Sequence, residues 1–143
     1  MSYYPVFLNL DAQPCTVIGG GSVAARKVEG LLDAGAAVEV IAPRLHPALA
    51  ALHTAGRIRW RAGTYPELAL DAPVLVIAAT DDAAVNRAVS ANCRARRIPV
   101  NVADAPELCS FILPAIVDRS PIKIAISSAG TSPILARRIK ARL

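Results

Sequence analysis

The chain has 143 residues, 54% of them hydrophobic, and a net charge of +5 from 16 Lys/Arg against 11 Asp/Glu. That is enough for one domain with a real core, since at this size folding removes about two-thirds of the unfolded chain's surface from water. No apolar run is long enough to span a bilayer, and Met1-Ser2-Tyr3-Tyr4-Pro5 lacks the basic start and apolar core of a secretory leader.

The charge is uneven. Residues 119–143 hold Arg119, Lys123, Arg137, Arg138, Lys140 and Arg142 and no acid, so the whole excess lies there. Such an end attracts a polyanion. It has no aromatic side chain to stack on bases, which argues against nucleic acid. Cys15, Cys93 and Cys109 are few, odd in number and without metal-ligand spacing. They read as reduced, buried apolar thiols of a cytoplasmic protein.

In chain order, residues 5–10 read as a short strand and 11–14 as a turn. Residues 15–18 form the next strand. Residues 22–34 form a helix with Ala24, Val28, Leu31 and Leu32 on one face and Gly35 closing it. Residues 38–41 are a strand and 45–55 a helix ended by Gly56. His46 and His53 lie two turns apart on that helix, roughly 10 Å, too far to share a metal. Residues 57–61 alternate as an edge strand, with Ile58 and Trp60 inward and the arginines in solvent. Residues 73–80 are a buried strand. Asp81-Asp82 cap the helix 83–96, whose inner stripe is Val85, Ala88, Val89 and Asn92/Cys93. Residues 98–102 are a further strand. Strands and helices that alternate in this way imply a Rossmann-type doubly wound parallel sheet.

Within that frame the stretch Gly19-Gly20-Gly21-Ser22-Val23-Ala24 follows a strand and opens a helix. It matches the Ala-ending dinucleotide fingerprint, with Gly19 for the turn, Gly21 for close approach of a pyrophosphate and Ala24 for close packing. The second strand ends at Ala42, where an NAD site usually has an acid for the ribose. Pro43 and Arg44 follow, and Glu39, mid-strand, reads as structural. Ligands of such sheets bind at the carboxyl ends of the strands. There Gly19–Gly21, Ala79-Thr80-Asp81 and the segment 101–104 should converge.

The pattern then changes. Residues 110–117 and 122–127 read as a β-hairpin around Asp118-Arg119-Ser120-Pro121. Ser132 caps a last helix, Pro133 fills its first turn, and residues 134–143 are still helical where the sequence stops. Free N–H groups at that helix start would suit a carboxylate. The chain thus divides into a dinucleotide-binding domain, 1–113, and a hairpin-plus-helix segment, 114–143. A last helix without a cap is expected of a chain cut from something longer, or of a helix that continues into a further domain.

Several segments together resemble the N-terminal region of siroheme synthase, the precorrin-2 dehydrogenase and sirohydrochlorin ferrochelatase family. They are residues 4–8, 17–27, 78–82, 101–106, 110–115, 118–121 and 126–133, and Leu135-Ala136-Arg137. The resemblance implies NAD-dependent oxidation of the tetrapyrrole precorrin-2 to sirohydrochlorin, and in many members insertion of ferrous iron to give siroheme. It implies a homodimer in which residues 114–143 swap and help to build the active site. It makes Asp104 the proton acceptor and places Ser22, Val23, Pro43 and Arg44 at the cofactor, beside Gly19, Gly21 and Ala24 of the fingerprint and Thr80 at the strand end. It puts Ser128 in the tetrapyrrole site, where a matching serine is phosphorylated in some members, and Thr131, Ser132 and Arg137 of the adjoining turn and basic helix are taken as substrate contacts with it. No resident metal is implied, because the macrocycle nitrogens are the iron's ligands. A helical domain and, in some members, a methyltransferase domain follow this region in the family. The competing reading is a Rossmann-type nucleotide-sensing regulatory domain, which would need neither Asp104 nor a basic terminal helix.

Overall fold

Five short runs, four of them rich in Val, Ile, Leu or Ala, supply the frame. They are β1 (Pro14–Ile18), β2 (Ala37–Ala42), β3 (Arg59–Ala62), β4 (Leu75–Ala78) and β5 (Val100–Val102). The computed structural model describes residues 2–66 and 69–143, so Met1 of the terminal stretch read above lies outside it. The strands are all parallel, in the order β3-β2-β1-β4-β5. The order reverses between β1 and β4, and that reversal creates a crevice at their carboxyl ends.

Alternation along each strand sends side chains to two cores. Cys15, Val17, Val38, Val40, Leu75 and Ile77 face one side. There they meet Ala24, Ala25, Val28 and Leu31 of α1 (Ser22–Asp33) and Leu49 of α2 (Pro47–Thr54). Ile18, Ile41, Val76, Ala78, Val100 and Val102 face the other, under Val89 and Cys93 of α3 (Ala83–Ala95) and under Tyr65 and Leu70. Each Val, Leu or Ile side chain among them removed from water contributes about 1.5–3 kcal/mol. Burial pushes the Cys93 thiol up to about 11. The same cause raises the Cys15 thiol.

α1 ends in a Schellman turn. Gly35 sits at φ 82°, its N–H donates to Leu32 O, and the Ala36 N–H donates to Leu31 O. Gly56 closes α2 by the same pattern, onto His53 O and from Arg57 onto Leu52 O. His46 caps α2, its Nδ1 accepting from the Ala48 N–H, and His53 packs edge-on against Trp60. Both histidines therefore have structural duties.

The structure departs from the sequence expectation in several places. Residues 2–10 form no strand, since Tyr4, Val6, Phe7 and Leu8 are exposed and only Leu10 is buried. On α3 the inner stripe takes Ser90 rather than Ala88, because the Ser90 Oγ reaches the Leu108 carbonyl. Two of the three arginines of the third strand are not simply solvated. Arg61 donates from Nε and Nη2 to Glu39 Oε1 at 2.9 and 2.8 Å, and Arg59 lies 3.6 Å from Oε2. Cys109 is half-buried and hydrogen-bonded, not an apolar filler. The first strand of the hairpin begins only at Ala115.

Residues 8–111 form one compact unit, and residues 112–143 with residues 2–7 form another. In the second unit β6 (Ala115–Arg119) and β7 (Ile122–Ile126) pair antiparallel, Val117 opposite Ile124 and Arg119 opposite Ile122. α4 (Pro133–Arg142) follows, with Ala136 its buried residue. Among the described residues no helix is long and apolar enough to cross a membrane.

Candidate dinucleotide site

The glycine run separates into residues that the fold needs and one that it does not. Gly19 is buried at φ 131°, and a Cβ on it would clash with the Ala79 carbonyl at the end of β4. A Cβ on Gly20 would clash with the Arg44 carbonyl and the Ala42 side chain after β2. These two glycines let the turn pass between the ends of β2 and β4. Gly20 was not singled out by the fingerprint, because its neighbours come from a loop distant in sequence. Gly21 has an ordinary φ of −91°, and a Cβ there would meet nothing. The fold leaves open space beside it, which is what a bound pyrophosphate requires.

The helix that starts here is also open. Asp82 Oδ1 accepts from the Ala84 and Val85 N–H groups on α3, Ser132 Oγ accepts from Leu135 on α4, and His46 caps α2. α1 has Gly21 as its N-cap and no side-chain cap. Its first N–H groups and the positive end of its dipole point into the open space, a ready site for a phosphate. Ser22 is exposed there, Val23 is half-buried, and Ala24 lies fully buried against the sheet. The residues present therefore fit a dinucleotide.

The neighbouring strand ends supply the rest of the rim. Ala42 is buried, and its carbonyl accepts from Trp60 Nε1 at 2.9 Å, so no acid stands at the end of β2. Pro43 and Arg44 follow it, exposed. The Thr80 hydroxyl lies 2.7 Å from Asn86 Oδ1 and accepts from the Asp82 N–H at 3.2 Å, while Asn86 Nδ2 donates to the Thr80 carbonyl. Thr80 thus holds the loop between β4 and α3 in shape, and Asn86 is a partner that the sequence reading did not identify. Asp104 follows β5, exposed and at φ 59°. β5 is two strand spacings from β1, about 10 Å, so Asp104 stands on the same rim as the glycine turn.

A cavity of about 300 Å³ lies elsewhere, among Pro14, Thr16, Glu39, Arg57, Arg59 and Asp71 at the amino ends of the strands. It is larger than the 230 Å³ hollow among Asn86, Arg87, Ala105 and Glu107 near Asp104. The glycine turn and α1 start do not line it, so it is distinct from the rim at the carboxyl ends of the strands. Among the described residues no group of three or more His, Cys, Asp or Glu could hold a metal ion.

Residues 6–115 match the NAD(P)-binding family, and residues 119–143 match the central region of sirohaem biosynthesis proteins. A solved precorrin-2 dehydrogenase, SirC, superposes with a TM-score of 0.86 at 32% identity, over 98% of this chain and 69% of its own. The chain belongs to the precorrin-2 dehydrogenase family of NAD(P)-binding proteins. Siroheme synthase of Methylobacillus flagellatus is 57% identical over all 143 residues, and siroheme synthase 1 of Cronobacter sakazakii is 52% identical. This chain spans 31% and 30% of their lengths.

In the second unit the residues of the substrate expectation cluster around the start of α4. Ser128 Oγ accepts from the Ser132 N–H at 2.9 Å, the Thr131 N–H donates to the Ser128 carbonyl, and Gly130 turns at φ 83°. Thr131 and Arg137 are exposed. The expectation of several free N–H groups at this helix start needs correcting. Pro133 has none, the Leu135 N–H goes to Ser132 Oγ, and the Ala136 N–H goes to Ser132 O. The capping serine thus takes one of the donors that a carboxylate would use, the Leu135 N–H, and leaves that of Ile134.

Proposed function

We propose that this chain oxidises precorrin-2 to sirohydrochlorin, with NAD as the hydride acceptor, in siroheme biosynthesis. The observation that carries this reading is the open, uncapped start of α1 beside Gly21 on the rim that also bears Asp104. Membership of the precorrin-2 dehydrogenase family supports it. The dinucleotide phosphates would rest on the N–H groups of Ser22 and Val23, with Gly19, Gly21 and Ala24 shaping the turn. Pro43, Arg44 and Thr80 would border the rest of the cofactor. When bound, NAD supplies a nicotinamide that takes a hydride.

The substrate then has one proton to lose for each hydride, and Asp104 is the group to take it. A carboxylate in that role is worth about 10²–10⁴ in rate. Its position in an exposed turn lets substrate reach it. Precorrin-2 is rich in carboxylates, so the acid-free stretch from Arg119 onward offers it charge of the right sign. Arg137, Ser128, Thr131 and Ser132 are the proposed contacts. Ser128 and Ser132 accept backbone N–H bonds, which leaves each O–H free to donate.

The same reading includes ferrous iron as a second substrate, coordinated by the macrocycle nitrogens, so that the protein orients the macrocycle and does not bind the metal itself. It also includes a cytoplasmic homodimer formed through residues 114–143, whose apolar side chains Ile116, Ile122, Ile134 and Leu135 are exposed in the single chain.

The test is to supply the full-length protein with precorrin-2 and NAD and follow sirohydrochlorin absorbance and NADH together. Turnover that falls at least a hundredfold in Asp104→Asn, with NAD affinity kept, is the expected result. An Asp104→Asn variant as fast as wild type would remove Asp104 from the mechanism. A protein that binds NAD without turning over precorrin-2 would favour a nucleotide-sensing domain instead.

A further inference from the structure

The turn that bears Asp104 follows an edge strand, and an edge strand leaves backbone groups in need of partners. β5 pairs with β4 on one side only. On its other side two side chains take the place of a ladder. Ser110 serves Val100, its Oγ accepting from the Val100 N–H at 2.9 Å while its own N–H donates to the Val100 carbonyl at 2.8 Å. Cys109 serves Val102 through its thiol alone. The Val102 N–H donates to Sγ at 3.1 Å, and Sγ lies 3.3 Å from the Val102 carbonyl and 3.4 Å from the Ala105 carbonyl. The thiol has one proton, so it donates to one of those carbonyls at a time.

The thiol therefore touches the backbone on both sides of Asp104. The cysteine is itself held from α3. Ser90 Oγ donates to the Leu108 carbonyl at 2.7 Å, and Arg94 Nη2 donates to the Cys109 carbonyl at 2.8 Å. Between these anchors Asp104 adopts φ 59°, a left-handed conformation uncommon for a residue with a side chain. Such conformations persist where the surroundings over-determine them. Here the Ala103 N–H to Ala78 O bond (2.9 Å) and the Ala105 N–H to Val102 O bond (3.2 Å) fix the peptides on either side. The Cys109 thiol crosses the base of the turn that they close.

We propose that Cys109 is a positioning residue for Asp104, its thiol locking the 102–105 turn so that the carboxylate faces the substrate in one orientation. The proposal rests on the reading of Asp104 as proton acceptor. Serine keeps a donor and an acceptor at the same place, and alanine keeps neither.

The experiment compares wild type, Cys109→Ser and Cys109→Ala in the full-length protein by kcat, by KM for NAD, and by amide hydrogen exchange. The expected result for Cys109→Ala is a kcat lower by about tenfold at an unchanged KM for NAD, as a small misplacement of a reacting group produces. Exchange should rise at 102–105 and stay at the wild-type level in β1 and β4. Cys109→Ser should restore most of both readouts. An alanine variant with wild-type kcat and wild-type protection at 102–105 overturns the proposal. So does a loss of protection through every core strand, because Cys109 would then be a packing residue. A wild-type protein that fails to turn over precorrin-2 counts against the proposed function, and the exchange at 102–105 still decides whether the thiol holds the turn.

Discussion

The two units of this chain treat apolar side chains in opposite ways. In residues 8–111 they are inside: apart from Val117 and Ala136, every buried hydrophobic residue among those described belongs to this unit. In the other unit they are outside. Apart from Leu8, the large exposed hydrophobics all belong to it, among them Phe7, Ile122 at 62% exposure and Ile134 at 66%. Two strands and a ten-residue helix cannot enclose a core by themselves. The first unit thus holds nearly all of the buried apolar core among the described residues. The second has the residue pattern of a surface meant to be covered, which is why a homodimer is part of the proposal above. Large contiguous apolar patches are rare on proteins that work alone.

The comparison can be broken most directly by paired substitutions. Leu49 is fully buried between α2 and the sheet, so Leu49→Ala should lower the unfolding free energy by about 2–5 kcal/mol. Ile134→Lys should change it by no more than about 0.5 kcal/mol in the isolated chain, while shifting sedimentation toward the monomer. Chemical denaturation and analytical ultracentrifugation read the two effects. If Ile134→Lys costs as much as Leu49→Ala, the second unit has a core of its own and the contrast fails.

A second pair sharpens the contrast within the first unit, between backbone the fold needs and backbone a ligand needs. Gly19→Ala meets both a positive φ and the Ala79 carbonyl, and should destabilise by roughly 2–4 kcal/mol. Gly21→Ala meets open space. Its stability should stay within about 0.5 kcal/mol of wild type, a poorer helix cap offsetting a stiffer unfolded chain. Its affinity for NAD should fall at least tenfold by calorimetry, roughly the loss of one or two charge-assisted hydrogen bonds. An unchanged affinity would show that no phosphate approaches Gly21.

Smaller effects test the polar parts of the sheet. Glu39→Gln removes the charge that holds Arg61 and Arg59 across β2 and β3. The site is partly open to solvent, so the expected loss is about 1–2 kcal/mol. Cys93 gives a pH window. Its folded-state thiol is raised from 9.0 to about 11 by burial. Stability from the neutral thiol is therefore complete below pH 9.0 and is lost as pH rises toward 11, since the unfolded chain gives up that proton first. A thermal melt series from pH 8 to 11 should show this decline, and Cys93→Val should flatten part of it.

Much was legible in the sequence because it depends on local chemistry. The alternation of strands and helices, the glycine turn after β1, Asp82 as the α3 cap, Gly35 and Gly56 as helix ends, and the basic terminal stretch all follow from residue type and spacing. The rim where a ligand is expected also follows from the sequence, because ligands of parallel sheets with this connectivity bind at the carboxyl ends of the strands. Other features required partners distant along the chain. Gly20 is needed because the Arg44 carbonyl and the Ala42 side chain crowd it. The arginines of β3 look solvated until Glu39 arrives from β2. Cys109 reads as a small apolar residue until the edge of β5 lies beside it with an unpaired N–H. Residues 5–10 look like a strand, yet the sheet gives them no ladder. Local propensity decides what a segment can be. Hydrogen-bond and steric partners decide what it becomes, and they exist only once the sheet has formed.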